Sequence, residues 1–225
     1  MKKLLIFGSG NSGVEILKIL IQDINKVTPQ WEVLGFVDDK WIDTHYPNLD
    51  KSKEGAVATV EGYSVFGVEY FEDSKNIFGI CGIMGPCTRK KVIEEEIEGK
   101  GFQLASLVHP SVIKSDDFVV EPGAVILPNV SISHNVKIGK GLLINYNCVL
   151  GHDVNVGSYT TISPSSIVNA RCIIGNNCII GSGATLVPDI KMEDNSLVGA
   201  GSTVFSKVKS GTSVTDFPRK ITKDI

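Results

Sequence analysis

The chain has 225 residues with a net charge of −3 at pH 7, and 42% of its residues are hydrophobic. This length allows one large or two small domains with a sizeable core. The mild acidity argues against broad nucleic-acid binding, which needs a basic face. No apolar run is long enough to span a membrane and no signal-peptide pattern opens the chain, so we expect a cytoplasmic protein.

The first predicted unit combines a strand, a glycine-rich turn and a helix. Residues 3–7 read as a buried strand, residues 8–13 form a G-x-G-x-x-G turn, and a second strand at 31–37 ends in two aspartates. Glycines let the backbone approach a pyrophosphate, a helix N-terminus favours its charge, and a carboxylate accepts hydrogen bonds. The pattern predicts nucleotide binding, and the alternative is a merely tight turn. The candidate nucleotide-binding residues are Gly8, Gly10, Asn11, Ser12, Gly13, Asp38 and Asp39.

The rest of the first hundred residues completes an α/β pattern. Residues 40–60 are polar and irregular and predict an exposed loop. Residues 77–83 and 102–108 read as strands on either side of an amphipathic helix at 86–99, whose charge run at 90–96 indicates a solvated face. The His109-Pro110 step ends regular structure. We therefore predict a Rossmann-like α/β domain over residues 1–108.

A strict six-residue repeat dominates the second half of the chain. Every sixth residue from Val120 to Val204 is aliphatic or methionine, and a second ladder four residues later is small or apolar. Neither a helix nor an ordinary strand selects every sixth position. The repeat predicts a β-helix with three hexads per triangular coil and about five coils. A β-sandwich predicts no such period. We assign residues 109–206 to the β-helix and 207–225, where the phase is lost, to a terminal cap or tail.

The cysteines indicate a reduced protein with inert thiols. Their number is odd and none forms a C-x-x-C pair, which predicts free thiols. Cys148, Cys172 and Cys178 lie on the inward small-residue ladder, so covalent catalysis by cysteine is not expected.

Histidine supplies the candidate chemistry of the β-helix. His134 and His152 are 18 residues apart, one full coil, and are expected to stack on one face. Catalytic zinc needs three protein ligands and the ladder has no third histidine, so no metal is expected. His152 precedes Asp153, and an imidazole oriented by a carboxylate is a suitable general base; the alternative is a surface histidine on a turn. The Ala170 N–H, one coil beyond His152, is a candidate oxyanion donor, and Asn145 a candidate polar group nearby.

These motifs together resemble those of a known enzyme family. The chain resembles the bacterial nucleotide-sugar N-acetyltransferases of the bacillosamine and perosamine type, which share their architecture with sialic acid O-acetyltransferases. The resemblance covers roughly residues 1 to 206. The motifs that carry it are residues 8–13 (GSGNSG), 36–39 (FVDD), 109–111 (HPS), 144–145 (IN), 151–153 (GHD) and the hexads that follow.

The resemblance implies both a fold and a set of roles. It implies a left-handed parallel β-helix, a homotrimer with active sites between subunits, a nucleotide-linked amino sugar in the N-terminal domain and acetyl-CoA along the β-helix. It also implies that His152 is the base and Asp153 its partner, with Asp38 and Asp39 at the nucleotide. The residues implied at the acyl-CoA are Thr161, Ala170, Gly181 and Ala200.

Two positions depart from the family pattern, and competing functions remain open. Ser12 and Thr161 stand where family members have histidines, and residues 215–219 (TDFPR) differ from the usual carboxyl-terminal motif. The expected reaction is direct N-acetylation of a 4-amino-4,6-dideoxy sugar. The alternatives are O-acetylation of a sialic acid-like sugar, a nicotinamide-dependent oxidoreductase without an identifiable hydride-transfer site, and a non-catalytic trimeric scaffold.

Overall fold

The first 106 residues build a six-stranded α/β sheet. The computed structural model describes residues 1–46, 48–50, 55–71 and 74–215. The sheet runs in the order β3-β4-β2-β1-β5-β6 and is parallel except for the β3–β4 pair. Its strands are β1 (Lys2–Phe7), β2 (Trp31–Val37), β3 (Ala58–Val60), β4 (Tyr63–Phe66), β5 (Ile77–Cys81) and β6 (Gln103–Leu104).

Three helices flank this sheet. Helix α1 runs through three successive segments, Asn11–Glu15, Ile16–Ile21 and Gln22–Val27, and the middle segment is a π-helix. Helix α2 spans Asp39–His45. Helix α3 spans Pro86–Lys91 and continues as a π-helix over Val92–Glu98. A 3₁₀ turn covers Val68–Tyr70. None of the helices within the described residues combines the length and apolar character that crossing a bilayer requires.

Helix α2 corrects the expected loop over residues 40–60. The Asp38 side chain caps this helix by accepting the Trp41 N–H at 3.0 Å, and Ile42 is fully buried. A single buried residue in a polar seven-residue helix gives little periodicity, so the sequence pattern missed it. β3 also begins inside the expected loop, at Ala58, whereas residues 47 and 51–54 lie outside the described part of the chain.

The second half winds as a three-sided parallel β-helix, which confirms the hexad prediction. The coils form three sheets of two-residue strands. The first sheet contains Leu107–Val108, Val125–Ile126, Leu143–Ile144, Thr161–Ile162, Ile179–Ile180, Leu197–Val198 and Ser213–Val214; the second contains Ile113–Lys114, Ser131–Ile132, Val149–Leu150, Ile167–Val168, Thr185–Leu186 and Thr203–Val204; the third contains Val119–Val120, Lys137–Ile138, Asn155–Val156, Ile173–Ile174 and Lys191–Met192.

Up to Val204, each coil stacks on the next with an offset of 18 residues. Val149 pairs with Ile167 and Thr161 with Ile179, for example. From residue 126 onward the large ladder is buried, and so is the small ladder from residue 124, including the three predicted cysteines. Each hexad turns at a residue in the left-handed conformation, which glycine, asparagine and aspartate tolerate best. These turn residues are Gly123, Asn129, Asn135, Gly141, Asn147, Asp153, Tyr159, Ser165, Arg171, Asn177, Gly183, Asp189, Asn195 and Gly201.

The β-helix extends beyond its predicted limits at both ends. Leu107–Val108 already pairs with Val125–Ile126, two residues before the expected boundary. After Val204 one hexad is shortened by two residues, so that the inward positions resume at Val208 and Val214. The predicted tail from residue 207 is therefore part of the last coil as far as Val214. The remaining tail, 216–225, lies outside the described residues.

A buried arginine joins the two halves of the chain. Arg89, on α3, is 1% exposed and donates to the carbonyl oxygens of Gly141, Tyr159 and Thr160 in the β-helix and to the Thr161 hydroxyl. Its other nitrogen donates to backbone carbonyls just after β5, at residues 83 and 84. Loss of solvent lowers the pKa of Arg89 to about 10, so the side chain remains charged at neutral pH.

Polar contacts at the margins of this joint hold the α/β unit against the first sheet. The Tyr146 hydroxyl donates to Glu15 at 2.7 Å, and the Tyr159 hydroxyl donates to Glu94 at 3.0 Å. His109 lies 3.2 Å from an Asp23 carboxylate oxygen. Burial, followed by the adjacent carboxylates, raises the pKa of both tyrosines, which therefore remain hydrogen-bond donors. These contacts and Arg89 fix the orientation of the α/β unit on the three-sided prism that the β-helix forms.

Replacing Arg89 with methionine should lower the free energy of unfolding by about 2–4 kcal/mol, because several buried carbonyl groups lose their donor. The measurement is the shift of the thermal and urea unfolding midpoints. The control is Lys26→Met, which removes an exposed ion pair with Asp23 and should change stability by less than about 1 kcal/mol. Equal midpoints for the two variants would contradict this role of Arg89.

Candidate active site

The edge between the second and third sheets carries an imidazole–carboxylate pair, and we call it the His152 edge. His152 Nδ1 lies 2.7 Å from Asp153 Oδ2. Both side chains are about 40% exposed, at 40% and 39%. The pair predicted from the sequence is therefore formed within one chain, without help from a neighbouring subunit.

The left-handed turn explains how two consecutive residues meet. Successive side chains on an extended strand point to opposite faces. Asp153 instead has a φ of 60° and is one of the turn residues that recur every sixth position. This conformation brings its carboxylate back beside the preceding imidazole. The signal was present in the sequence, because asparagine, aspartate or glycine often stands three residues after an inward aliphatic.

The hydrogen bond fixes the tautomer of His152. A carboxylate only accepts, so in the neutral imidazole Nδ1 carries the proton and Nε2 presents a lone pair. Hydrogen bonds from His152 first and from Asn135 second lower the pKa of Asp153 below its ordinary value of 3.8. A lowered carboxyl pKa means that the charged contact is complete at neutral pH and is lost only as the pH falls through that pKa. The pair is thus assembled for proton acceptance at Nε2.

A second imidazole stacks beneath this pair, as the 18-residue spacing predicted. The His134 and His152 rings are 5.2 Å apart between centroids and 7° from parallel. The ligating atoms of His134, His152 and Asp153 all lie within 4.8 Å of one another, and these are donor types that zinc accepts. His152 Nδ1 and Asp153 Oδ2 are already joined by a hydrogen bond. The arrangement therefore favours acid–base chemistry.

The coil above brings a backbone N–H to the same edge. A Cβ placed on Gly151 would lie 2.6 Å from the Ala170 nitrogen, so only glycine permits this close stacking. The pattern repeats on the edge between the first and second sheets, where a Cβ on Gly181 would lie 2.6 Å from the Ala200 nitrogen. The structure thus places Ala170 on the His152 edge, and Gly181 and Ala200 together on the neighbouring edge.

Two predicted site residues lie elsewhere. Thr161 is 6% exposed beneath the α/β unit; its hydroxyl donates to the Met84 carbonyl and accepts from Arg89. This placement corrects the expectation that Thr161 contacts acyl-CoA. Asn145 is 4% exposed on the edge between the first and second sheets, with its Oδ1 bound to the Tyr146 N–H. It does not meet His152 within one chain.

The carboxyl ends of β1, β2 and β5 surround a cavity of about 550 Å³. This is where parallel α/β sheets bind ligands, at the reversal of strand order on either side of β1. The predicted residues converge here, since the cavity is lined by Gly8, Gly10, Asn11, Ser12, Asp38 and Asp39. The carboxyl-terminal end of β5, with residues 82–84, completes the lining, although the sequence analysis had not assigned it a site role.

The glycine turn is held by packing and by a carboxylate. A Cβ on Gly13 would collide with the Gly8 carbonyl oxygen, so Gly13 permits close packing of helix and strand and does not line the cavity. Asp38 Oδ2 accepts the Ser9 N–H at 2.8 Å and the Ser9 hydroxyl at 2.7 Å. Asp38 therefore orients the turn as well as bordering the cavity.

Charged residues of α3 also line the cavity, from a helix face that is largely exposed, as the predicted solvated face at residues 90–96 requires. Lys91 and Glu96 border it together with Lys40 from α2. Burial raises the pKa of Glu96, followed by the negative charges of Asp39 and Asp38. The periodicity of the helix identified its polar side but not what that side faces, which depends on how the helix packs on the sheet.

The cavity and the His152 edge lie apart within one chain. None of the residues that line the cavity belongs to the β-helix. The α/β unit packs on the first sheet and its adjoining edges, through Arg89, Tyr146 and Tyr159, whereas the His152 edge lies opposite the first sheet.

A hexad β-helix with an exposed imidazole–carboxylate pair, attached to an α/β unit with a cavity at its glycine turn, is the arrangement that the sequence resemblance to hexapeptide-repeat acyltransferases predicts. The GMPPB C-terminal domain family matches residues 108–215. GDP-perosamine N-acetyltransferase from Escherichia coli O157:H7 is 29% identical over 202 residues, which cover 88% of this chain and 76% of the relative.

Solved structures share the fold over nearly the whole chain. A perosamine N-acetyltransferase from Caulobacter crescentus, a histidine-to-asparagine variant in complex with CoA and GDP-perosamine, has a TM-score of 0.80 at 21% identity, covering 99% of this chain and 97% of that one. The acetyltransferase domain of PglB from Neisseria gonorrhoeae, in complex with acetyl coenzyme A, has a TM-score of 0.79 at 20% identity, covering 96% of each chain. The comparisons confirm the predicted resemblance to the perosamine and bacillosamine type of N-acetyltransferase and the enzyme class, acyltransferase.

Replacing Gly13 with alanine should displace the glycine turn, because the added methyl group meets the Gly8 carbonyl. We expect a loss of about 1–3 kcal/mol in unfolding free energy. Thermal denaturation tests this effect. The matched control is Gly85→Ala, where a methyl group meets open space. If the Gly13 variant melted like this control, the packing role of Gly13 would be wrong.

Proposed function

We propose that this protein is an acetyl-CoA-dependent N-acetyltransferase that acts on the amino group of a nucleotide-linked 4-amino-4,6-dideoxy sugar. The observation that carries the proposal is the His152–Asp153 pair, with Nε2 free, on the edge of a β-helix whose structural relatives bind CoA. The cavity at the glycine turn is the proposed site for the nucleotide. GDP-perosamine is the first substrate to test, because a relative that resembles most of the chain is named for it.

The proposed reaction is direct acyl transfer without a covalent enzyme intermediate. The sugar amine attacks the thioester carbonyl carbon as Nε2 of His152 takes a proton from the amine nitrogen. The Asp153 carboxylate stabilises the imidazolium, and the Ala170 N–H donates to the developing oxyanion. Collapse of the tetrahedral intermediate breaks the carbon–sulfur bond, and the proton on His152 passes to the departing thiolate. The products are an amide and CoA, and the base returns to its starting state.

Two groups supply most of the expected barrier reduction. A positioned base contributes typically 10² to 10⁴-fold, or roughly 3 to 5 kcal/mol, and an oxyanion donor a similar amount. The buried Cys148, Cys172 and Cys178 face the prism interior, and burial raises the pKa of Cys148 to about 11. Their thiols are therefore unsuited to nucleophilic catalysis.

We further propose that the active enzyme is a homotrimer whose sites form between subunits. The separation of cavity and base within one chain supports this, since an amino sugar bound at the glycine turn needs a His152 edge from a neighbour. The second sheet also carries exposed aliphatic residues, Ile113, Val149 and Ile167, which a neighbouring prism would cover. In this assignment the Rossmann-like domain of one subunit binds the nucleotide-sugar, and the left-handed β-helices of two subunits hold acetyl-CoA. The proposed location of the enzyme is the cytoplasm.

Replacing His152 with asparagine should reduce turnover at least about a hundredfold, because the substitution removes the Nε2 atom that accepts the amine proton. The assay is release of free CoA thiol, with CoA affinity measured separately by calorimetry and expected to change little. Near-wild-type turnover would exclude His152 as the base. Screening GDP-, UDP- and dTDP-linked 4-amino sugars identifies the acceptor, and an ester product instead of an amide would favour sugar O-acetylation. If no acceptor yields thiol release, the scaffold alternative is favoured.

Mixing two inactive variants tests the site between subunits. His152→Asn removes the base, and Gly10→Trp fills the cavity from a position where an added side chain first meets open space. Mixed trimers formed by refolding the two together contain some sites with both an open cavity and an intact base, so activity should return to a fraction of the wild-type value. If mixed trimers form and stay as inactive as the separate variants, the sites lie within single subunits.

A further inference from the structure

We infer that Asn135 is a positioning residue for His152, because it holds the Asp153 carboxylate in the place from which that carboxylate orients the imidazole. Asn135 Nδ2 donates to Asp153 Oδ1 at 2.6 Å, while the other oxygen, Oδ2, accepts from His152 at 2.7 Å. Each oxygen of the carboxylate is thus fixed by a different donor. The carboxylate cannot rotate about its last bond without losing one of them.

Asn135 is anchored from the coil beneath. Its backbone has a φ of 54°, and its N–H donates to Asp117 Oδ2 at 2.8 Å. Asn135 lies one coil below Asp153, just as His134 lies one coil below His152. The His152 ring therefore stacks on the His134 ring, and the Asp153 carboxylate contacts the Asn135 amide one coil below.

A simpler explanation for the asparagine is the turn itself. Asparagine tolerates the left-handed conformation, and Asn129, Asn147, Asn177 and Asn195 occupy equivalent turns. Glycine adopts the same backbone but lacks the amide donor, whereas aspartate keeps a short side chain that only accepts when ionised. Substitutions to these two residues separate the role in the turn from the role at the carboxylate.

The charges around Asp153 determine the sign of the expected effect. The coils below contribute Asp117 and His134; the coil above contributes Arg171, whose guanidinium is paired with Asp189 at 2.7 Å. In Asn135→Asp a carboxylate replaces the amide between two existing carboxylates. The added negative charge favours the imidazolium, so His152 should bind its proton more tightly.

NMR of the imidazoles tests the inference without any substrate. With only four histidines in the chain, ¹⁵N and ¹³C spectra resolve the tautomer and the titration of His152. Wild-type protein should show the Nδ1–H tautomer, Asn135→Gly should lose part of that preference, and Asn135→Asp should titrate at higher pH than wild type. Asn195→Gly, an equivalent turn on another edge, is the matched control and should match wild type.

The kinetic arm rests on the proposed function. Asn135→Gly should lower turnover about three- to tenfold with an unchanged KM for acetyl-CoA, and Asn135→Asp should move the acid limb of kcat/KM to higher pH. Wild-type tautomer and turnover in Asn135→Gly would overturn the inference, and this variant decides the question even where Asn135→Asp fails to fold. A wild-type protein without transferase activity that still shows the expected NMR differences would refute the proposed function and leave the positioning role in place.

Discussion

The 18-residue register between coils is the constraint on which the candidate site depends. Because the β-helix strands up to Val204 pair at an offset of 18 residues, side chains at equal turn positions stack along an edge at the roughly 4.8 Å spacing of hydrogen-bonded strands. The same register stacks His134 under His152, places Asn135 below Asp153 and brings the Ala170 nitrogen above Gly151. A shift of one residue in any coil would separate these groups, and the buried hexad ladder prevents it.

The α/β unit is fixed to this prism by a different kind of interaction. Arg89 replaces water around a set of backbone carbonyls on both sides of the joint, and two of them, at residues 83 and 84, belong to the segment that borders the cavity. A planar guanidinium with several fixed donors suits this task better than lysine does. The cavity is therefore held in a fixed position relative to its own β-helix, and no described residue of its own His152 edge lines it.

Periodic features of this fold could be predicted from the sequence, whereas features that depend on packing could not. The hexad ladders predict the register of the coils, the inward position of the cysteines and the stacking of His134 on His152, because each follows from counting residues. The family resemblance implies that Thr161 lies at the acyl-CoA, but docking of the α/β unit buries this residue. Helix α2 depends on the Asp38 cap and one buried residue, and the restart at Val208 depends on a two-residue deletion that interrupts the count.

The exposure of the His152–Asp153 pair determines how strongly the carboxylate can stabilise an imidazolium in the proposed reaction. In the single chain both side chains are open to water, where a charge pair is screened and contributes little. The same pair covered by a thioester and a neighbouring subunit would act in a lower dielectric, where a fixed carboxylate stabilises an imidazolium far more strongly. An enzyme built in this way joins acid–base catalysis to assembly, because the base gains its full strength only when substrate and neighbour exclude water from the edge. The backbone turn and the amide of Asn135 preorganise the carboxylate beforehand, so that exclusion of water does not also have to order it.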